Sequence, residues 1–256
     1  MVADTDADVL PWRRRPARVR PDGFMAPRER FGHGARSFSV PFNRVRVRSS
    51  AGLVVAKATA AHQYTIAAID YDAIDDDRRQ RGLRYLPYIA RAVIESLRRH
   101  PALNATIDEA CVRRHDAVHL GIAVDLDHQG LVVPVVRDAH LLNVEGLAHG
   151  IADVAARARS RRLTPADVGG GTFTITNPGG FGTHWSFPII NVPQVAILSV
   201  DGVAKRVVAR DDQIRIGVVG NVGLATDARA VSAIEAAEFL ASVRDELAAT
   251  GRSSWW

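Results

Sequence analysis

Cys111 is the only cysteine in 256 residues. No intrachain disulfide can form, so nothing in the chain demands an oxidising compartment. No apolar run approaches the roughly 20 residues of a membrane-spanning helix. The opening stretch, MVADTDADVLPWRRRPARVR, has no apolar core behind its charges and is unlike a secretory signal. The expectation is a soluble, cytoplasmic protein with no membrane role. None of the nine histidines forms a metal constellation by spacing, His115 and His119 included, and none lies beyond His184. No metal is expected. Aromatics are scarce at 6%, yet two of the four tryptophans are the last two residues, Trp255 and Trp256.

Hydrophobic residues make up 47% and charged residues 24%, enough for one sizeable core. The net charge of +5 is unevenly placed: eight arginines lie between Arg13 and Arg36, against Asp22 and Glu29. That segment also holds Pro11, Pro16, Pro21 and Pro27 and little that is apolar. It reads as a solvated or partner-binding extension rather than a nucleic-acid arm, because the body carries no comparable basic stripe. Three parts follow: an Arg/Pro-rich extension over 1–36, a domain over 37–250 and a tail over 251–256.

The chain is organised around residues 169–200, GGGTFTITNPGGFGTHWSFPIINVPQVAILSV. Phe173 and Ile175 alternate with threonines, which predicts a strand over 172–176. A second strand is expected over 195–200. Between them, Asn177, Gly179, Gly180 and Gly182 build a loop that needs positive φ or close backbone approach. Such a loop after a hydroxyl can present Thr176 and bare N–H groups to a developing negative charge. A wide β-hairpin without chemistry fits the same residues. Elsewhere the patterning predicts helices over 45–60, 86–100, 144–161 and 234–247, strands over 63–71, 118–125 and 131–136, and a hairpin about Asp211-Asp212. A cap is expected at Thr164-Pro165. Recurrent hairpins among the helices predict an α/β or α+β mixed sheet with flanking helices, not a doubly wound one.

In this order, the residues from His119 to Val200, and more weakly from Ser37 onward, resemble the catalytic domain of the 2-oxoacid dehydrogenase acyltransferases. The resemblance implies a chloramphenicol-acetyltransferase-like two-layer sandwich and a homotrimer. It also implies intersubunit channels in which coenzyme A is the co-substrate. It makes Thr176 the oxyanion-stabilising hydroxyl, with Asn177 and the Gly179, Gly180 and Gly182 loop lining the channel. Family members carry Asp-His-Arg-x-x-Asp-Gly near the C-terminus, where the His is the general base. The matching run here begins Asp227-Ala228-Arg229 and has Ser232 at the second acid. The base position is therefore Ala228, and Asp227 and Arg229 are expected to form a structural ion pair. His184, in the loop after Thr176, is the candidate substitute base. The resemblance further places Trp255 and Trp256 where family C-termini insert into neighbouring trimers, so they are expected to dock into a pocket. The function implied is CoA-dependent transfer of an acyl group, an acetyl, to a small-molecule hydroxyl, in a natural-product (tetronate-type) setting. The alternative is a non-catalytic core subunit.

Overall fold

The computed structural model describes residues 40–249 and Trp255. The Arg-rich extension, Gly251 and Trp256 lie outside the described residues. The described residues from Phe42 onward form one compact unit. Helix α1 (Arg44–Thr59) leads into β1 (His62–Asp70), α2 (Asp72–Gln80) and α3 (Tyr85–Arg99). Next come β2 (Ala105–Asp108), β3 (Cys111–Arg114), β4 (Leu120–Ile122), β5 (Val124–Asp125), β6 (Leu131–Val132) and β7 (Val135–Val136). Helices α4 (Val144–Arg159) and α5 (Pro165–Val168) precede β8 (Phe173–Thr176) and β9 (Ala196–Val200). The chain ends with β10 (Ala204–Arg210), β11 (Gln213–Asp227) and α6 (Ala233–Ala248).

Seven strands form the main sheet, in the order β1-β11-β9-β8-β4-β7, with β10 also on β11. The sheet is mixed. Strands β4, β8 and β9 run parallel, while β1, β11 and β9 pair antiparallel. The wide hairpin that the glycine-rich stretch allowed is therefore not what forms. β8 and β9 are parallel neighbours, and residues 177–195 carry the chain back to the starting end of the sheet. The strands expected over 118–125 and 131–136 are one hairpin broken in the middle. Leu120 faces Val136 and Val124 faces Val132 in the same register, but Pro134 interrupts the ladder. Proline has no N–H to donate. Ala123 instead gives its N–H to Ile175 of β8, and β5–β6 leaves the main sheet.

The core lies between the sheet and helices α3, α4 and α6. Ile89, Val93, Ile94 and Leu97 of α3 recur every three to four residues and are buried. Pro101 follows directly after the helix and its His100 cap. Asn143 caps α4 by accepting from Gly146 N at 2.8 Å, and Leu147, Ile151, Val154 and Ala158 point inward. Ser232 and Glu235 cap α6 reciprocally. Trp255, expected to dock into a pocket either between trimers or back onto its own trimer, is turned inward on its own chain. It is 1% exposed and packs beside Tyr88, with ring centroids 6.3 Å apart. An indole exposes too much apolar area to stay in water when a cleft of its own chain can take it.

Helix α1 is the exception. Of its side chains only Ala56 is buried, while Val47, Leu53, Val54 and Val55 are exposed.

Candidate active site

Thr172, Thr174 and Thr176 project to one side of the β8 segment, and Phe173 and Ile175 to the other, in the core. Two of the three hydroxyls have structural partners. Thr172 Oγ1 accepts from His119 N at 3.0 Å, and Thr174 Oγ1 donates to Gln194 Oε1 at 2.7 Å. Among the described residues no comparable bond ties up Thr176, which is half-buried at the end of the strand. It stands on the wall of a cavity of about 940 Å³. Helix α1, the β5–β6 ribbon, α5 and residues 186–192 supply the remaining walls.

The loop beyond Thr176 is held shut on itself. Asn177 Oδ1 accepts from Gly179 N at 3.1 Å. A Cβ on Gly179 would lie 2.6 Å from Asp201 O, so only glycine fits there. Gly182 has φ +74°, the left-handed region. Pro178 reaches the cavity wall, whereas Asn177, Gly179, Gly180 and Gly182 do not line it in this chain. Asp201, buried at the end of β9, staples the next segment: its Oδ1 accepts from Thr183 Oγ1 at 2.7 Å and Ser186 Oγ at 2.6 Å. Asp201 escaped sequence reasoning because an Asp-Gly pair after an apolar strand reads as an ordinary turn.

Within this chain the staple fixes the segment that carries His184. His184 lies between the two stapled residues, exposed and off the cavity wall. Its carbonyl accepts from Asn221 Nδ2 at 2.9 Å. Its ring Nδ1 lies 3.2 Å from an Arg206 guanidinium nitrogen. Guanidinium only donates, so Nδ1 is the acceptor and the lone pair that a general base would use is occupied.

The second expected half of the site is the turn after β11. Asp227 is 1% exposed. Its Oδ1 accepts from Ala61 N at 3.3 Å, Arg229 N at 3.1 Å and Arg229 Nε at 2.9 Å, and its Oδ2 meets Arg229 at 2.6 Å. Burial by itself would raise this carboxyl, but its hydrogen bonds and the Arg229 charge outweigh that and hold it below the usual carboxylate range. Ala228 N donates to Ala61 O at 2.9 Å, and the Ala228 methyl is exposed. Ser232 caps α6. The turn is intact, and Ala228 offers no proton acceptor.

Sheet register separates the two halves. Thr176 pairs with Ser199 and Ser199 with Gly223, and Ala228 lies five residues past Gly223. At about 3.3 Å per residue and about 4.8 Å per strand, Thr176 and Ala228 of one chain are on the order of 20 Å apart. Among the described residues no group of three His, Cys, Asp or Glu could hold a metal ion, and no helix is long and apolar enough to cross a membrane.

Comparison with known proteins bears on both halves. Residues 35–252 match the family of 2-oxoacid dehydrogenases acyltransferase (catalytic domain). The dihydrolipoyllysine-residue acetyltransferase component of the pyruvate dehydrogenase complex of Mycobacterium bovis is 42% identical over 178 residues, covering 67% of this chain and 32% of that protein. The chain thus spans about a third of that relative's length. The crystal structure of dihydrolipoamide acetyltransferase from Azotobacter vinelandii superposes with a TM-score of 0.83 at 27% identity, covering 88% of this chain and 96% of that one. In that protein a serine, a histidine 52 residues later and an asparagine 4 further on were investigated for their role in the catalytic mechanism. Chloramphenicol acetyltransferase shares the fold, with a TM-score of 0.55 at 10% identity over 78% of this chain and 94% of that one.

Proposed function

Because the chain belongs to the family of 2-oxoacid dehydrogenase acyltransferase catalytic domains, we propose that it transfers an acyl group from a coenzyme A thioester to a small hydroxyl-bearing acceptor. The observation that carries this reading is the Thr176 hydroxyl, the one threonine of three on its side of β8 without a structural partner among the described residues, on the wall of a cavity of about 940 Å³. Attack on a thioester carbonyl places negative charge on its oxygen. A fixed hydroxyl donor at that point stabilises the tetrahedral intermediate, and removing such a donor costs about 10²–10³ in kcat. No metal is needed for this step.

The working unit is a homotrimer, with each site shared between copies. Two features support it. The order of 20 Å between Thr176 and Ala228 within one chain means that the two turns can serve one site only across an interface. The exposed Val47, Leu53, Val54 and Val55 of α1 supply apolar surface for a neighbour to cover.

A second reading, a non-catalytic core subunit, is favoured by one observation. Counted from Thr176, the intervals of the Azotobacter triad fall on Ala228 and Ser232. A general base contributes about 10²–10⁴-fold, so its loss weakens transfer to neutral acceptors. Thiol release from acetyl-CoA with a panel of small hydroxylated acceptors separates the two readings. Acceptor-dependent release that falls in Thr176→Ala supports the transferase. Absence of acetyl-CoA binding, with retained assembly, supports the core subunit.

A further inference from the structure

The cavity beside Thr176 is apolar apart from a few side chains. Leu53, Leu131, Val132, Val168, Phe187 and Ile190 all contribute to its wall. Among the described residues the wall bears one charged side chain, Arg48. It faces the cavity together with Val45, Ser49 and Gly52, which recur at helical spacing along α1. Arg46, two residues earlier, is engaged with the His128 carbonyl at 2.9 Å. Arg48 makes no ion pair with a described residue and is exposed toward the cavity side of the helix.

A cation with no carboxylate near it, in an apolar cavity, attracts an anion. The same wall offers no histidine, aspartate or glutamate among the described residues, and the turn after β11 offers Ala228. A neutral alcohol attacking a thioester must lose a proton, and no carboxylate or imidazole among the described residues of this wall accepts one. An acceptor that is already ionised needs no base.

We infer, building on the transferase reading above, that the acceptor is a small apolar molecule with an acidic hydroxyl of the enol or phenol type, bound as its oxyanion and held by Arg48. The acceptor oxyanion attacks the carbonyl carbon of the acyl-CoA. A C–O bond forms, and the carbonyl electron pair moves onto oxygen beside the Thr176 hydroxyl. When the pair returns, the C–S bond breaks, and coenzyme A leaves as a thiolate that takes its proton from water. No protein group gains or loses a proton. The acceptor's acidity is bounded on both sides. It has to ionise near neutral pH, yet a much weaker base than a thiolate would be a better leaving group and return the acyl group. That points to an acceptor pKa near that of a thiol, about 8.5.

The test uses the purified full chain, acetyl-CoA and a series of phenols of graded acidity, with neutral alcohols of matched size. The expected result is a rate that rises with pH through a midpoint that moves with each phenol's own pKa, and neutral alcohols at least 100-fold slower. Arg48→Gln is expected to raise KM for phenolates tenfold or more with a smaller change in kcat, and Arg48→Lys to recover part of the loss. Ala228→His is expected to speed neutral alcohols, with a midpoint that stays the same for every acceptor. A midpoint common to all acceptors in the unmodified chain, or equal rates with neutral alcohols, overturns the inference while leaving the transferase reading standing. Failure of acetyl-CoA to bind overturns both.

Discussion

The turn after β8 and the turn after β11 are both firmly anchored, and they present opposite things. After β8, every neighbour of Thr176 is occupied: Thr172, Thr174, Asn177 and Asp201 all hold backbone or hydroxyl partners. Of the three threonines, Thr176 alone lacks such a partner among the described residues. After β11, the anchoring is as thorough, through Asp227, Arg229, Ala61 and the Ser232 cap. What that turn displays is the Ala228 methyl. The two regions show that the scaffold of a site and its reacting group are separable. A buried carboxylate with several donors holds a turn whether or not the next side chain has any chemistry.

Substitutions can break or sharpen this contrast. The largest effect is expected from Thr176→Ala: a loss of about 2.7–4 kcal/mol in the acyl-transfer barrier, with the thermal midpoint nearly unchanged. Steady-state kinetics and a melting curve on the same sample check both parts. Asp227→Ala is expected to do the reverse, costing about 1.5–3 kcal/mol of stability for a carboxylate with several hydrogen bonds, read from urea unfolding. That contribution depends on pH in a definite direction. The folded carboxyl lies below its unfolded value, so its stabilisation is complete above the unfolded pKa of about 3.9 and is lost as pH falls through the folded value. Asp227→Asn is expected to flatten that part of the acid-unfolding curve; an unchanged curve would show that Arg229 does not hold the turn. Gly179→Ala drives a Cβ onto the Asp201 carbonyl and is expected to cost about 1–3 kcal/mol and to displace the Thr176 loop. Ser232→Ala removes a reciprocal cap and is expected to cost about 1 kcal/mol. The smallest effect belongs to His184→Ala. With its lone pair facing Arg206, it is expected to leave kcat and the pH profile as they were, and stability within about 0.5 kcal/mol. A lost alkaline or acid limb in that variant would restore His184 to the site.

Local pattern was a good guide wherever one element buries one face. The α3 and α4 stripes, the Thr164 cap, the alternation in β8 and the β10–β11 hairpin are all periodicity or turn chemistry. It was a poor guide to partners. Residues 172–176 and 195–200 read as the two arms of a hairpin, but strands on either side of a glycine-rich loop carry no mark of their relative direction. Gly220 and Gly223 interrupt the apolar pattern of β11. Those glycines belong to the strand because the neighbours are close: a Cβ on Gly223 would meet Ser199 Oγ at 2.6 Å. The β2–β3 hairpin, all but its first three residues exposed or charged, gave no apolar signal. His184 was singled out for lying in the loop after Thr176, and the sequence did not show that Asp201 fixes the segment between Thr183 and Ser186.

The amino-acid order was sufficient for the main helices and for a hydroxyl at the end of β8, because each is a matter of residue type and short-range spacing, and the family resemblance singled out position 228. Direction, register and burial belonged to tertiary structure. It made β8 and β9 parallel, turned Trp255 into its own chain beside Tyr88, tied His184 to Arg206 and set Arg48 on the wall of the same cavity as Thr176. The reason is physical: which backbone donor, carboxylate or apolar face a residue meets depends on groups tens to hundreds of positions away, brought near only when the sheet closes.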